Sequence, residues 1–262
     1  MDESGVDSQL IDPLGMRARP LRRTKTAVIV AQKLVEEISS NGYEPGTKLP
    51  PEREMLQRYS VGRGTLRESL RFLEMNGVIT VKPGPGGGPT LATPDAHDLA
   101  STLGLFLELQ QTSFASILEV REALEPAIAS MAAVRQDEAI IAAIGRSVER
   151  MVENITDLDL FLQENERFHL LVAAGAGNPV FTLLVGSLDA IADGSKFGIS
   201  FPISRREAVA AAHQEIYLAL KSGDQERSSR GMADHVRAFQ RYTVKHHPEA
   251  MSSLVRWSDV AP

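Results

Sequence analysis

Apolar residues recur at spacings of three and four through most of this chain. In "TKTAVIVAQKLVEEISSNG" (24–42), Val28, Ala31, Leu34, Val35 and Ile38 mark one helical face, and Asn41-Gly42 stops the run. Pro50-Pro51 then predicts a second helix start, with Glu52 and Glu54 in the first turn, where acids suit the macrodipole. A break at Ser60–Gly62 leads into "RGTLRESLRFLEMNG" (63–77), a third helix closed by Asn76-Gly77. "VITVKPGPGGGPTLA" (78–92) changes period and reads as strands Val78–Lys82 and Thr90–Ala92 around a Gly/Pro loop. Helix, helix, turn, helix, hairpin is the order of a winged helix-turn-helix.

Beyond the hairpin the pattern is helical to about residue 246, with breaks at 175–179, 194–202 and 223–224 and no convincing strand. The fold class is therefore mainly α: an N-terminal winged helix-turn-helix followed by an all-α bundle of six or seven helices. The expected divisions are a flexible arm (1–20), the DNA-binding module (21–93), a linker (94–104), the bundle (105–248) and a loosely packed tail (249–262) with the only Trp, Trp257.

Charge sharpens this division. The chain of 262 residues carries a net −6, yet residues 14–93 hold 13 Lys/Arg against 7 Asp/Glu, while residues 94–262 hold 15 against 23. A basic module joined to an acidic one points to a polyanionic partner for the first alone. The absence of cysteine removes disulfides and thiol chemistry. No apolar run approaches the ~20 residues of a membrane span. The acidic, polar start does not resemble a secretory signal, so the expected address is the cytoplasm.

On the third helix Arg63, Arg67 and Arg71 fall within an arc of about 80°, beside an arc of about 60° holding Leu66, Leu70 and Leu73. One face is built to pack and its neighbour to present guanidinium groups, whose planar fork grips phosphate or guanine O6 and N7. Gly64 leaves room for close approach, Arg53 is placed for a phosphate, and "RARPLRR" (17–23) could follow the backbone. The stretch "PGTKLPPEREMLQRYSVGRGTLRESLRFLEMNGVI" (45–79) resembles the DNA-binding domain of GntR-type bacterial transcription regulators. That resemblance implies base and phosphate contacts from Arg63, Gly64, Thr65 and Arg67, a phosphate contact from Arg53, and a wing tip at Gly84 in the minor groove. Gly62 stands where such domains often carry Ser or Thr, and the wing is richer in glycine than usual.

Of the six histidines, His97, His246 and His247 read as surface residues. His169, His213 and His235 sit in apolar helical text. His213 and His235 lie about evenly either side of Gly223-Asp224, so an antiparallel hairpin brings them to one height, ~15 Å from the turn. Asn165 and His169, four apart, share a face of a third helix. Two readings stand: a site for Zn²⁺, Ni²⁺ or a similar ion, or separate core histidines each satisfied by hydrogen bonds. Arg121 likewise either pairs with Glu125 one turn on or holds an effector carboxylate.

The stretches 117–133, 165–181 and 213–236 resemble the effector domain, called FCD, of the FadR-type branch of GntR regulators. The resemblance implies a divalent metal ligated by Asn165, His169, His213 and His235 at the floor of a pocket. Asn165 brings a neutral carbonyl oxygen where Asp would bring charge, which lowers the affinity expected. A metal floor suits small hydroxy or dicarboxylic acids, whereas a metal-free pocket suits a fatty-acid-like ligand.

The expected function is sequence-specific transcriptional regulation, more readily repression, by a homodimer that reads a palindromic operator in double-stranded DNA and answers to an effector. The contrasting readings are a metal-dependent enzyme with a DNA-binding appendage and a non-specific architectural protein. Against the enzyme, the nearest text to H-E-x-x-H is "HQEIY" (213–217), which lacks the second histidine.

Overall fold

The computed structural model describes residues 25–84 and 86–260; the arm expected over 1–20 and the basic run 17–23 lie outside them. The chain divides after Ala92 into two compact units.

The first unit contains α1 (Thr26–Ser40), α2 (Glu52–Tyr59), α3 (Arg63–Met75), β1 (Ile79–Lys82) and β2 (Gly88–Leu91). Its core is Val30, Ala31, Leu34, Leu49, Met55, Leu66, Leu70, Leu73 and Ile79. The buried stripe of α1 thus runs through Ala27, Val30, Ala31 and Leu34, while Val35, expected inside, is exposed. The two stripes share Ala31 and Leu34, and their centres differ by a rotation of about 50°. α2 starts directly after Pro51, and Asn76 with Gly77 in a left-handed conformation ends α3.

β1 and β2 pair antiparallel, with Ile79 opposite Leu91 and Lys82 opposite Gly88. β2 begins two residues earlier than the sequence suggests because a second partner holds it. The segment 46–49 bonds its other edge through Gly46 N to Leu91 O (2.8 Å), Leu91 N to Thr47 O (2.9 Å) and Leu49 N to Pro89 O (2.9 Å). Pro89 lacks an N–H yet serves there through its carbonyl.

The second unit is helical: α4 (Ala96–Leu109), α5 (Phe114–Arg135), α6 (Glu138–Glu153), α7 (Leu158–Gly175), α8 (Pro179–Ile191), α9 (Ile203–Lys221), α10 (Gln225–His246) and the short α11 (Pro248–Ser252). Six of these start on a side chain that accepts a backbone N–H: Asp95, Ser113, Asp137, Asp157, Asn178 and Asp224. Such caps satisfy donors that the first helical turn leaves orphaned. α5 packs along α10 and crosses α7; α6 lies on α7 and α9. Between them is a core of Ile128, Ala129, Ile144, Val148, Phe168, Val172, Ile216, Met232 and Val236.

Two expectations are corrected. The segment expected as linker (94–104) is mostly helix, since α4 begins at Ala96, capped by Asp95, and packs on α8. The tail is built in as well: Ala250 and Val255 are buried, and Phe114 N to Ser253 O and Val255 N to Thr112 O (both 2.9 Å) clip it to the start of α5.

Candidate functional site: a basic recognition face and a histidine-floored cavity

In the first unit α3 divides as its sequence demands. Leu66, Leu70 and Leu73 are buried, and Arg63, Arg67 and Arg71 form an exposed strip beside them. Arg63 is the first helical residue, and Gly62 before it supplies no side-chain cap. Thr65 is half-buried, its carbonyl accepting from Ser69 Oγ at 2.8 Å. Arg67 Nε stands 3.4 Å from Glu52 Oε1 on α2, a partner that steadies a side chain otherwise 70% exposed. Arg53 is exposed on α2. Gly84 is exposed in a left-handed conformation (φ 93°) that glycine alone adopts freely. Lys48, which the sequence did not single out, donates from Nζ to Gly86 O at 3.0 Å and ties the wing to the segment before α2.

In the second unit α7, α9 and α10 deliver the three histidines to one point. His213 Nε2 lies 3.2 Å from His235 Nε2, which lies 3.3 Å from His169 Nε2. All three side chains are buried. Phe168 stacks on the His213 ring with centroids 3.7 Å apart and fixes its plane. Burial first, and then the neighbouring imidazoles, push His213 and His235 well below the usual histidine range, so their rings are neutral.

His169 is oriented from behind. Its Nδ1 is 2.6 Å from Glu125 Oε2, and Glu125 Oε1 accepts from Arg121 Nε at 2.5 Å. Arg121 also reaches Asp189 Oδ1 through Nη1 at 2.7 Å. Although burial opposes ionisation, Arg121 and then His169 hold the Glu125 carboxyl well below the usual carboxylate range. A carboxylate on Nδ1 makes that nitrogen the donor and turns Nε2 toward His235. Burial pushes the Asp189 carboxyl up to about 6 against the pull of Arg121, and its Oδ2 is buried without a hydrogen-bond partner.

Three Nε2 atoms converge on one point, and with the ring protons on Nδ1 their lone pairs suit a cation. Zn–N bonds of 2.0–2.1 Å at a tetrahedral angle place two ligand nitrogens about 3.3 Å apart. The observed spacings of 3.2 and 3.3 Å match, and all three ligand atoms lie within 4.8 Å of one another. The triad could therefore hold a divalent metal. His169 and His235 open onto a cavity of about 460 Å³, which Asn165 also lines, half-buried one turn before His169. Arg121 lines it too, but with two acids already engaged. His97, expected as a bare surface residue, is exposed yet sits at the same cavity, 3.6 Å from Glu166.

Residues 26–87 match the family described as bacterial regulatory proteins, gntR family, and residues 116–238 match the FCD domain. The chain is a GntR-family regulator with an FCD domain. It is similar to the HTH-type transcriptional repressor NanR of Salmonella arizonae, 28% identical over 183 residues, 69% of each chain. The HTH-type transcriptional regulator YcbG of Bacillus subtilis is 28% identical over 222 residues, covering 85% of this chain and 91% of its own. Among solved structures, Streptococcus agalactiae GntR shares the fold with a TM-score of 0.67 at 23% identity, over 82% of this chain and 99% of that one. As a GntR/FCD protein this chain is an effector-regulated, DNA-binding transcriptional regulator, and its family consists of regulators rather than enzymes. Among the described residues no helix is long and apolar enough to cross a membrane.

Proposed function

We propose that this regulator is a cytoplasmic homodimeric repressor whose effector is a small hydroxy or carboxylic acid bound above a divalent metal. The carrying observation is the convergence of three imidazole Nε2 atoms, with Glu125 bonded to the far nitrogen of one. His169, His213 and His235 would hold zinc or nickel, with Asn165 as a weak fourth ligand from the cavity wall. A metal in this position supplies Lewis-acid attraction for an effector oxygen. The buried, unpartnered Asp189 Oδ2 calls for a donor and favours a ligand hydroxyl. That chemistry speaks against a fatty-acid-like ligand.

On DNA, Arg63, Gly64, Thr65 and Arg67 would meet the major groove, Arg53 a phosphate, and Gly84 the minor groove. One such helix reads few base pairs, so two copies on a palindrome supply the specificity. The repressor assignment draws on the printed name of NanR. An effector that binds one arrangement of the dimer better than another then shifts operator affinity.

Elemental analysis of untagged protein purified without chelator, beside His213→Ala, tests this directly. About one metal per chain, lost in the variant, is expected. Absence of metal from both, even after incubation with zinc or nickel, overturns the metal-floored reading.

A further inference from the structure

Two adjacent arginines open α9, and the fold treats them differently. Arg206 is held by backbone carbonyls: its Nε donates to Phe201 O at 2.7 Å, and its Nη1 donates to Ile155 O and Thr156 O, both at 3.0 Å. It ties α9 to the loop after α6 and has no call on a ligand. Arg205 lines the cavity, yet its Nε and Nη2 are buried without a hydrogen-bond partner. Among the described residues no carboxylate lies within ion-pair distance of it. Its guanidinium carbon sits 4.8 Å from the Tyr242 ring centroid and 6.0 Å from that of Phe239. Those π faces hold the plane of the guanidinium but offer no acceptor to its in-plane N–H groups. A cation removed from water without a partner is costly. Burial accordingly pushes its pKa down, and nearby Arg241 adds to the effect.

The position of Arg205 relative to the histidines gives the unmet charge a meaning. Arg205, Val209 and His213 follow at intervals of four along one strip of α9, so Arg205 and His213 are about 12 Å apart along the axis. On α10, Tyr242 lies seven residues beyond His235, again roughly 10 Å. Both helices thus place an unpaired cation at the opposite end of the cavity from the imidazole floor. Val209, Phe201 and Phe239 supply an apolar middle. Asp159, Glu166, Asp189 and Asp193 also line the cavity, so an anionic group is favoured only where a cation faces it, beside Arg205 at one end and beside a metal on the histidines at the other.

We propose that Arg205 receives a carboxylate at the end of the cavity away from the histidines, so that the effector is a diacid spanning the two ends. Two turns of α9 separate the backbones of Arg205 and His213, so the two carboxylates belong on different carbons of a chain rather than on one compact group. This inference rests on the reading of the cavity as the effector site, and it adds the second anchor and the ligand's second charge.

The test uses full-length, zinc-supplemented protein and linear dicarboxylates from succinate to suberate. Each is measured beside the monocarboxylate of equal chain length at matched ionic strength, by calorimetry and thermal shift. We expect one chain length to bind at least tenfold more tightly than its monocarboxylate. Arg205→Gln should abolish that preference and Arg205→Lys should retain part of it, with zinc per chain equal to wild type in both. Dicarboxylates no better than monocarboxylates at every length, or a preference that survives in Arg205→Gln, would overturn the proposal. Failure of the metal-floored reading has a different signature: no zinc in wild type. In that case the comparison of Arg205 with Gln and Lys, run on the same samples, still reads the far end by itself.

Discussion

Glu125 Oε2 stands 2.6 Å from His169 Nδ1, while the other oxygen of the same carboxylate accepts from Arg121. One buried acid therefore decides which nitrogen of His169 faces His235. Loss of a group in this supporting position typically costs 10–100-fold in metal affinity. Glu125→Gln should weaken zinc binding by about that factor, because an amide no longer dictates the tautomer. Competition titration against a chromophoric chelator measures it, with helical content as a control for folding. Unchanged affinity would show that the tautomer is set elsewhere.

Arg67 and Arg53 differ in what they should do on DNA. Arg67 is exposed on α3 beside Glu52 and Arg53 is exposed on α2; in the proposed complex the first would read base edges and the second would meet a phosphate. Arg67→Ala should cost about 1–3 kcal/mol on the operator and relax specificity there; Arg53→Ala should weaken all duplexes alike and lower the salt slope by about one. Neither should move the unfolding midpoint, since both side chains are exposed. Binding isotherms at several salt concentrations on operator and scrambled duplex separate the two. Equal losses on both duplexes for Arg67→Ala would remove it from base readout.

The sequence exposes most of this architecture because its signals are local. Pro51, Asn76-Gly77 and Gly223-Asp224 each mark a helix end through backbone chemistry that needs no distant partner. The convergence of His213 and His235 followed from counting residues about one turn. The extent of α4 was harder to read. Its cap, Asp95, is as informative as Asp224, but the preceding "ATP" reads as loop, and packing on α8 is a tertiary fact. The tail escaped for the same reason: "SSLVRWS" has no period, and its order comes from pairing with residues 112–114. Arg205 was invisible in principle, since an unpaired arginine is defined by who is absent around it.

The tail should therefore contribute to stability. Val255 is buried, and Val260 lies against Gly104, leaving no room there for a Cβ. Val255→Ala should cost roughly 2 kcal/mol, between the usual losses for Ile→Val and Leu→Ala. Urea unfolding followed by circular dichroism gives the figure. A midpoint equal to wild type would return the tail to the loosely packed state expected from its sequence.

The Arg121 guanidinium bridges Glu125 and Asp189, and all three side chains are buried. Removing the cation leaves two acids facing each other in a poorly solvated space, and breaking a buried pair from one side costs about 3–5 kcal/mol. Arg121→Met should thus destabilise strongly, while Arg121→Met with Glu125→Gln and Asp189→Asn should recover much of the loss, because no uncompensated charge remains. If Arg121 instead serves chiefly as an effector anchor, the single variant should fold with near-normal stability and lose only ligand response. Unfolding curves of the two variants, with and without a carboxylate ligand, distinguish these outcomes. The geometry favours the first: both oxygens of Glu125 and one of Asp189 are already committed to the chain that positions His169.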